Sequence, residues 1–274
     1  MAKPLLKPIL RSERATSAPV RAKPYITVRH LRKAFQGNAV YEDFDIDIPR
    51  HSITSVFGPN GCGKSTLINL ISGLLPLDGG QILFDGLPRE EITIGYVFQN
   101  YRDSLFPWLR SRDNIAYPLL VRGHGRAKAY ERVEELAAEF SVGFNLDLYP
   151  YKLSGGQQQL VSILRALAAR PEVIFLDEPF SALDFEMTMF VREVLQAVHL
   201  KTGVTMVVVS HDLAEAILLA DELVLLSKRP ARIAASLPVP LARPRGSEDV
   251  SSPAFAELHA RALAIFREEA RRQL

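Results

Sequence analysis

The chain has 274 residues, 47% of them hydrophobic, and 33 lysines and arginines stand against 31 acids for a formal net charge of +2. That length can bury a core large enough for one α/β domain, with or without a small subdomain, and the small, mixed charge makes no case for a nucleic-acid partner. No apolar run reaches the roughly eighteen residues of a membrane helix; the richest, Ala216 to Leu226, is broken by Asp221 and Glu222. The single cysteine, Cys62, cannot form an internal disulfide, which fits a reducing cytoplasm.

Residues 1–24 set Lys3, Lys7, Arg11, Arg14, Arg21 and Lys23 against one acid, Glu13, with Pro4, Pro8, Pro19 and Pro24 interspersed. They read as a disordered basic arm, solvated or in light contact with anionic headgroups. Leu5-Leu6 is too short an apolar centre for a secretory signal, and the prolines argue against a transit peptide. From Tyr25 the apolar runs "YITV", "SITSVF", "ITIGYVF", "EVIFL", "TMVVV" and "ELVLL" alternate with segments of helical character, which predicts a mostly parallel sheet covered by helices. Between Asn100 and Leu153 no comparable run occurs. "RAKAYERVEELAAEF" instead places Val133, Leu136, Ala137 and Phe140 at helical spacing, so an inserted helical subdomain is expected over about 100–165, longer than an ordinary crossover. After Leu226, Pro238, Pro240, Pro244 and Pro253 read as a loose connection. It leads to an amphipathic helix with Phe255, Leu258, Ala262, Ile265 and Phe266 on the face that packs on the body.

Three of the runs end in polar groups. Ser52 to Phe57 leads into "GPNGCGKST", Val173 to Leu176 into Asp177 and Glu178, and Met206 to Val209 into Ser210 and His211. Ligands of open parallel sheets sit beyond the carboxyl ends of the strands, so one shared site is expected there. Gly58 to Ser65 fits G-x-x-x-x-G-K-[ST] between a strand and an apolar helix. The glycines let backbone N–H groups curl around phosphate oxygens at a helix N-terminus. Lys64 supplies charge for the β and γ phosphates, Ser65 an Mg²⁺ ligand and Thr66 a further phosphate contact.

Asp177 would hold Mg²⁺, usually through water, and Glu178 would polarise the water that attacks the γ phosphate; alone, either acid could cap a helix or sit in solvent. Ser154 and Gln157 in "LSGGQQQ" form a capping-box pattern, yet capping does not ask for Gly155 and Gly156. Adjacent glycines let another group approach the bare N–H donors, so Ser154, Gly155, Gly156 and Gln157 read as a second anion site without its own lysine. "SALD" at 181–184 reads as another capping box. His211 is open to reading as a cap, a core imidazole or a functional group, and its place beside two other strand ends favours the last. Gln99 could be a plain polar terminus and Phe35 simple core.

Taken in order, "GPNGCGKST", "YVFQ", "LSGGQ", "VIFLDEP", "SALD" and "VVVSHD" resemble the nucleotide-binding subunit of ATP-binding cassette (ABC) transporters, from Tyr25 to about Leu226. The resemblance implies a P-loop NTPase fold: a RecA-like α/β core with a mostly parallel sheet, an antiparallel β subdomain and an inserted α-helical subdomain. The ATPase domain would run over 25–240, followed by a C-terminal extension over 241–274. It implies a head-to-tail homodimer with two ATP molecules. Each would lie between one chain's Gly58, Pro59, Asn60, Gly61, Cys62, Gly63, Lys64, Ser65 and Thr66 and the partner chain's Ser154 to Gln157, which explains the missing lysine. Phe35 would stack on adenine, and Gln99 would contact Mg²⁺ and the attacking water. Lys64, Gln99, Glu178 and His211 would be catalytic, with His211 on the γ phosphate. Asp184 would lie at the dimer interface.

The resemblance further implies a peripheral protein on the cytoplasmic face of the inner membrane, bound to permease subunits, with an extracytoplasmic solute-binding protein. "LFPWLRSRDNIAYPL", "SKRPARI" and "LARPR" look like the nitrate, sulfonate and taurine importer branch. A non-transport cassette acting as an interaction module is the competing class. Its chromosome-maintenance members carry a long coiled coil and its translation members two cassettes, and this chain has neither. Glu178 and His211 argue against a dead ATP sensor. The chain departs from the family at Leu160, where arginine is usual, at Leu164, usually small, and in "PRHS" at 49–52. Leu160 removes the expected salt-bridge support of the helix after Gln157.

Overall fold

The structure is a computed structural model that describes residues 24–181 and 183–271. The arm expected over 1–24 therefore lies outside it, except for Pro24, which opens the first strand.

β1 (Pro24–Phe35) and β2 (Asn38–Pro49) form an antiparallel hairpin. Gln36 and Gly37 turn it with φ of 49° and 81°, the left-handed pair that suits a two-residue hairpin loop. The chain crosses to a second sheet as β3 (Ile53–Phe57), continues as α1 (Lys64–Ser72), and returns to pair with β1 as β4 (Gly79–Phe84). "YITV" thus belongs to a three-stranded antiparallel sheet of order β2-β1-β4 and not to the parallel one. In β2, Phe44, Ile46 and Ile48 are buried while Asp45 and Asp47 are exposed, so one face only is covered.

β5 (Ile94–Val97) is followed by α2 (Tyr101–Ser104), α3 (Ser111–Val121), α4 (Arg126–Glu139) and α5 (Gly155–Ala168) before β6 (Val173–Asp177). Then come α6 (Phe185–Thr202), β7 (Thr205–Val209), α7 (Leu213–Leu219), β8 (Glu222–Leu226), β9 (Ile233–Pro238) and α8 (Pro253–Arg271). The larger sheet has the order β5-β6-β7-β3-β8-β9; its pairs are parallel except β8 with β9.

Its central strands are buried on both faces, and their residues alternate between two cores. Ile174, Leu176, Met206 and Val208 pack with α4, α5 and α6, whereas Val173, Phe175, Val207 and Val209 pack with α1 and the antiparallel sheet. Each such side chain stabilises the fold by about 1.5–3 kcal/mol, and a one-residue slip would push each into the opposite core, against packing it does not fit. The strand ends are thereby held in fixed register.

Among the described residues no strand lies between β5 and β6. Asn114 on α3 is buried and fastens the preceding loop: its Oδ1 accepts from Phe106 N at 2.8 Å, and its Nδ2 donates to Phe106, Leu109 and Arg110 carbonyls at 3.1–3.2 Å. That loop leaves Trp108 70% exposed. Leu160 and Leu164 are buried in the core, so apolar packing takes the place of the salt bridge whose loss Leu160 implied.

The segment after Leu226 is not a loose connection. β9 pairs with β8, and beyond it Arg243 and Arg245 are buried. Arg243 Nη2 donates to Leu219 O at 2.6 Å, and Arg245 Nη1 to Ile217 O at 3.1 Å and to Ala220 O, which supplies cations to the C-terminal carbonyls of α7. α8 buries Phe255, Leu258 and Ala262 and packs Ile265 and Phe266 against the same cluster, with Phe266 5.2 Å from the Phe57 ring. The expected face is the one that meets the body.

Candidate functional site

The carboxyl ends of β3, β6, β7 and β8 lie along one edge of the larger sheet. Beyond them is a cavity of about 650 Å³ lined by Asn60, Gly61, Gly63, Lys64, Ser65, Thr66, Gln99, Glu178, His211 and Arg229. Of the groups expected there from the sequence, the glycine loop, Gln99, Glu178 and His211 therefore meet.

The loop's shape follows from its glycines. Gly61 and Gly63 have φ of 74° and 124°, and a Cβ on Gly63 would lie 2.7 Å from Val40 Cγ1 and 3.0 Å from the Tyr41 hydroxyl. A Cβ on Gly58 would crowd Leu226 O at 3.0 Å. Lys64 is buried, and its Nζ donates to Gly58 O at 3.0 Å and Pro59 O at 3.1 Å. An ammonium has three donors, so one is left for a phosphate oxygen. Cys62 N donates to Pro59 O at 3.2 Å, while its thiol lies in the core, where burial pushes its pKa up. Within the loop, Cys62 contributes backbone rather than side chain.

Ser65 Oγ donates to Asp177 Oδ1 at 2.8 Å. A hydroxyl and a carboxylate thus meet as two hard oxygen donors at the end of β6, the chemistry Mg²⁺ takes, so these two residues could hold the ion. Burial pushes the Asp177 carboxyl above its usual range; the Ser65 hydrogen bond opposes this, and the neighbouring Glu178 charge adds to it.

Glu178 sits at φ 47°, a left-handed position that an unbranched side chain occupies only under constraint. Its N donates to Val209 O at 3.0 Å, and its own carbonyl accepts from Ser181 N at 3.0 Å and Ser181 Oγ at 2.9 Å. The carboxylate Oε2 accepts from Gln99 Nε2 at 2.8 Å and lies 3.2 Å from His211 Nδ1. Three strand ends thus converge on one carboxylate oxygen.

A family model described as ABC transporter matches residues 41–181. The chain belongs to this family. It is 40% identical over 207 residues to the sulfate/thiosulfate import ATP-binding protein CysA of Synechocystis sp., covering 74% of this chain and 58% of the relative. It is 38% identical over 224 residues to the taurine import ATP-binding protein TauB of Escherichia coli O157:H7, covering 80% and 86% respectively. The chain thus spans less than two thirds of the length of the sulfate/thiosulfate relative. Among solved structures, the dimeric ATP-binding cassette MJ0796 in a post-hydrolysis state bound to ADP and Pi is similar with a TM-score of 0.69, at 26% identity over 78% of this chain and 98% of that one.

Within this ABC transporter chain, Ser154 caps α5 as a complete capping box: Gln157 N donates to Ser154 Oγ at 3.4 Å and Ser154 N to Gln157 Oε1 at 3.0 Å. The two glycines are also sites of close packing. A Cβ on Gly155 would meet the Tyr101 hydroxyl at 2.8 Å and one on Gly156 would overlap Met187. "SALD" is not a capping box begun by Ser181; the cap of α6 is Asp184, whose Oδ1 accepts from Met187 N at 2.8 Å, while Ser181 Oγ turns back to Glu178. Phe35 is not core: its ring is 41% exposed at the hairpin tip, under Lys33 Nζ at 5.4 Å.

Two cassette residues escaped the sequence reading. Tyr41, fully buried, donates its hydroxyl to Gly63 O at 3.0 Å, and Arg229, after β8, lines the cavity. The apolar alternation of β2 held a signal for Tyr41, whereas nothing in "SKRPARI" separates Arg229 from a solvated arginine.

Proposed function

We propose that this chain is the ATP-hydrolysing subunit of an ABC importer for anions of the nitrate, sulfonate and taurine type. The observation that carries the reading is Glu178, oriented by Gln99 and His211 in the cavity that holds Lys64 and Ser65. Lys64 and the N–H groups of residues 58–66 bind the phosphate chain, and Ser65 and Asp177 hold Mg²⁺, which when bound offsets phosphate charge. Both partners of Glu178 engage Oε2, so Oε1 faces the attacking water and accepts its proton. Gln99 aligns that water and His211 contacts the γ phosphate. Phe35 stacks on the adenine.

Two copies pack head to tail, so that Ser154, Gly155, Gly156 and Gln157 of one chain close over the phosphates held by the other. The solved relative described as dimeric supports the pairing of two chains. Residues 25–240 form the ATPase domain with the helical subdomain over about 100–165, and 241–274 the C-terminal extension. The pair sits on the cytoplasmic face of the cell membrane; no helix among the described residues is long and apolar enough to cross one. Permease subunits dock beside exposed Trp108 and Tyr151, and a solute-binding protein delivers the anion. The taurine relative, matched over 86% of its length, supports the sulfonate branch.

The test is phosphate release from Mg-ATP by the purified chain, alone and joined to its permease chains. Release that Glu178→Gln abolishes while an ATP-dependent dimer accumulates is the expected result. Turnover unchanged in that variant overturns the role of Glu178, and co-purification with ribosomes or cluster-assembly proteins in place of a permease overturns the importer.

A further inference from the structure

Four strand ends, those of β3, β5, β6 and β7, supply the cavity's expected groups; a fifth, β8, supplies one more. Because β8 flanks β3 on the side away from β7, its turn meets the glycine loop from the flank opposite Glu178 and His211. We propose that Arg229, carried on that turn, is a second cation for the nucleotide, binding the phosphates nearest the ribose while Lys64 serves the outer ones. This rests on the nucleotide reading above.

The turn is built to hold a side chain in place. Ser227 N donates to Arg232 O at 3.0 Å, Arg232 N to Ser227 Oγ at 3.0 Å, and Ala231 N to Val40 O at 2.8 Å. Ser227 and Ala231 are buried, whereas Arg229 between them is exposed and lines the same cavity as Gly61, Lys64 and Thr66. Burial raises the pKa of the Cys62 thiol in the glycine loop and of the Tyr41 phenol behind it, and the Arg229 charge reaches both and opposes that rise.

The other arginine of the turn is committed elsewhere: Arg232 pairs with Glu269 at 2.7 Å. Among the described residues Arg229 has no carboxylate at ion-pair distance, so its guanidinium is free for an anion. The tie from Ala231 to Val40 also sets the turn beside β2, the strand of the Phe35 hairpin. That is the base side of the cavity rather than the γ-phosphate side.

Titration of the full chain with Mg-ADP and with adenosine tests this. Arg229→Ala is expected to weaken ADP by about threefold to tenfold, the size of a charged hydrogen bond discounted for exposure, and to leave adenosine unchanged. Arg229→Gln, which keeps the reach without the charge, is expected to lose as much and covers any disturbance of the turn. ADP binding as in wild type by both variants, or an equal loss for adenosine, overturns the proposal. A wild-type chain that binds no ADP overturns the nucleotide reading itself, which is a different failure.

Discussion

Two groups of polar side chains lie at opposite ends of the larger sheet. At the carboxyl edge Glu178 and His211 are held by few bonds, on a backbone at φ 47°, with the imidazole side chain 52% exposed. At the amino edge Asp221 accepts from Ile53 N at 2.8 Å and from Arg243 Nε and Nη2 at 3.0 and 2.8 Å. Arg245 there exchanges two 2.8 Å bonds with Gln196 and gives its guanidinium to the carbonyls of Ile217, Ala220 and Leu241. Burial pulls that guanidinium down to about 9, still protonated at pH 7. One edge spends its charges on the fold; the other keeps bonding capacity for something outside the chain.

The comparison breaks most sharply at Glu178. Glu178→Gln should lower phosphate release by about a thousandfold while leaving the urea midpoint nearly unchanged. A large loss of stability instead would move Glu178 into the structural group. Arg245→Met should do the reverse. Three carbonyls lose their donor in a buried place, which costs about 3 kcal/mol, and ADP affinity measured well below the unfolding transition should stay at the wild-type value.

Ser154 lies at neither edge: it caps α5 and is proposed to meet the partner's nucleotide, and a smaller effect tells whether it does both. Ser154→Ala removes a helix cap worth about 1 kcal/mol, readable as a lower denaturation midpoint. A concurrent loss of ATP-dependent dimer, measured by sedimentation, would place its hydroxyl on the partner's nucleotide as well.

Asp177 gives the smallest effect and a definite sign. Burial raises its pKa in the folded chain, so the native state holds this proton to a higher pH than the unfolded chain does. The stability it contributes is present below the ordinary carboxyl pKa and is lost as pH rises through the raised one. Asp177→Asn should flatten that slope and raise the melting temperature at pH 7 in chelator, while weakening the Mg²⁺ dependence of nucleotide binding. An unchanged slope would sink the assignment of the buried charge to Asp177.

Much of the carboxyl edge was legible because its chemistry is local. A strand, a glycine-rich turn and a lysine are neighbours in the chain, and Asp177-Glu178 and His211 each follow a run of apolar residues. The amino edge was not legible. Asp221 and Arg243 meet across 22 positions, Gln196 and Arg245 across 49, and the prolines between them imitate a linker. Short strands failed for a related reason: β4 and β9 are defined by partners and not by their own pattern. "SALD" misled because Ser181 and Asp184 both match a cap, and only the start of α6 decides which one serves.

Val40 and Tyr41 are adjacent, yet the carbonyl of the first anchors the Arg229 turn and the hydroxyl of the second anchors Gly63. The two loops are consequently tied to the same stretch of β2. The outer sheet thus holds both loops of the cradle through a single dipeptide.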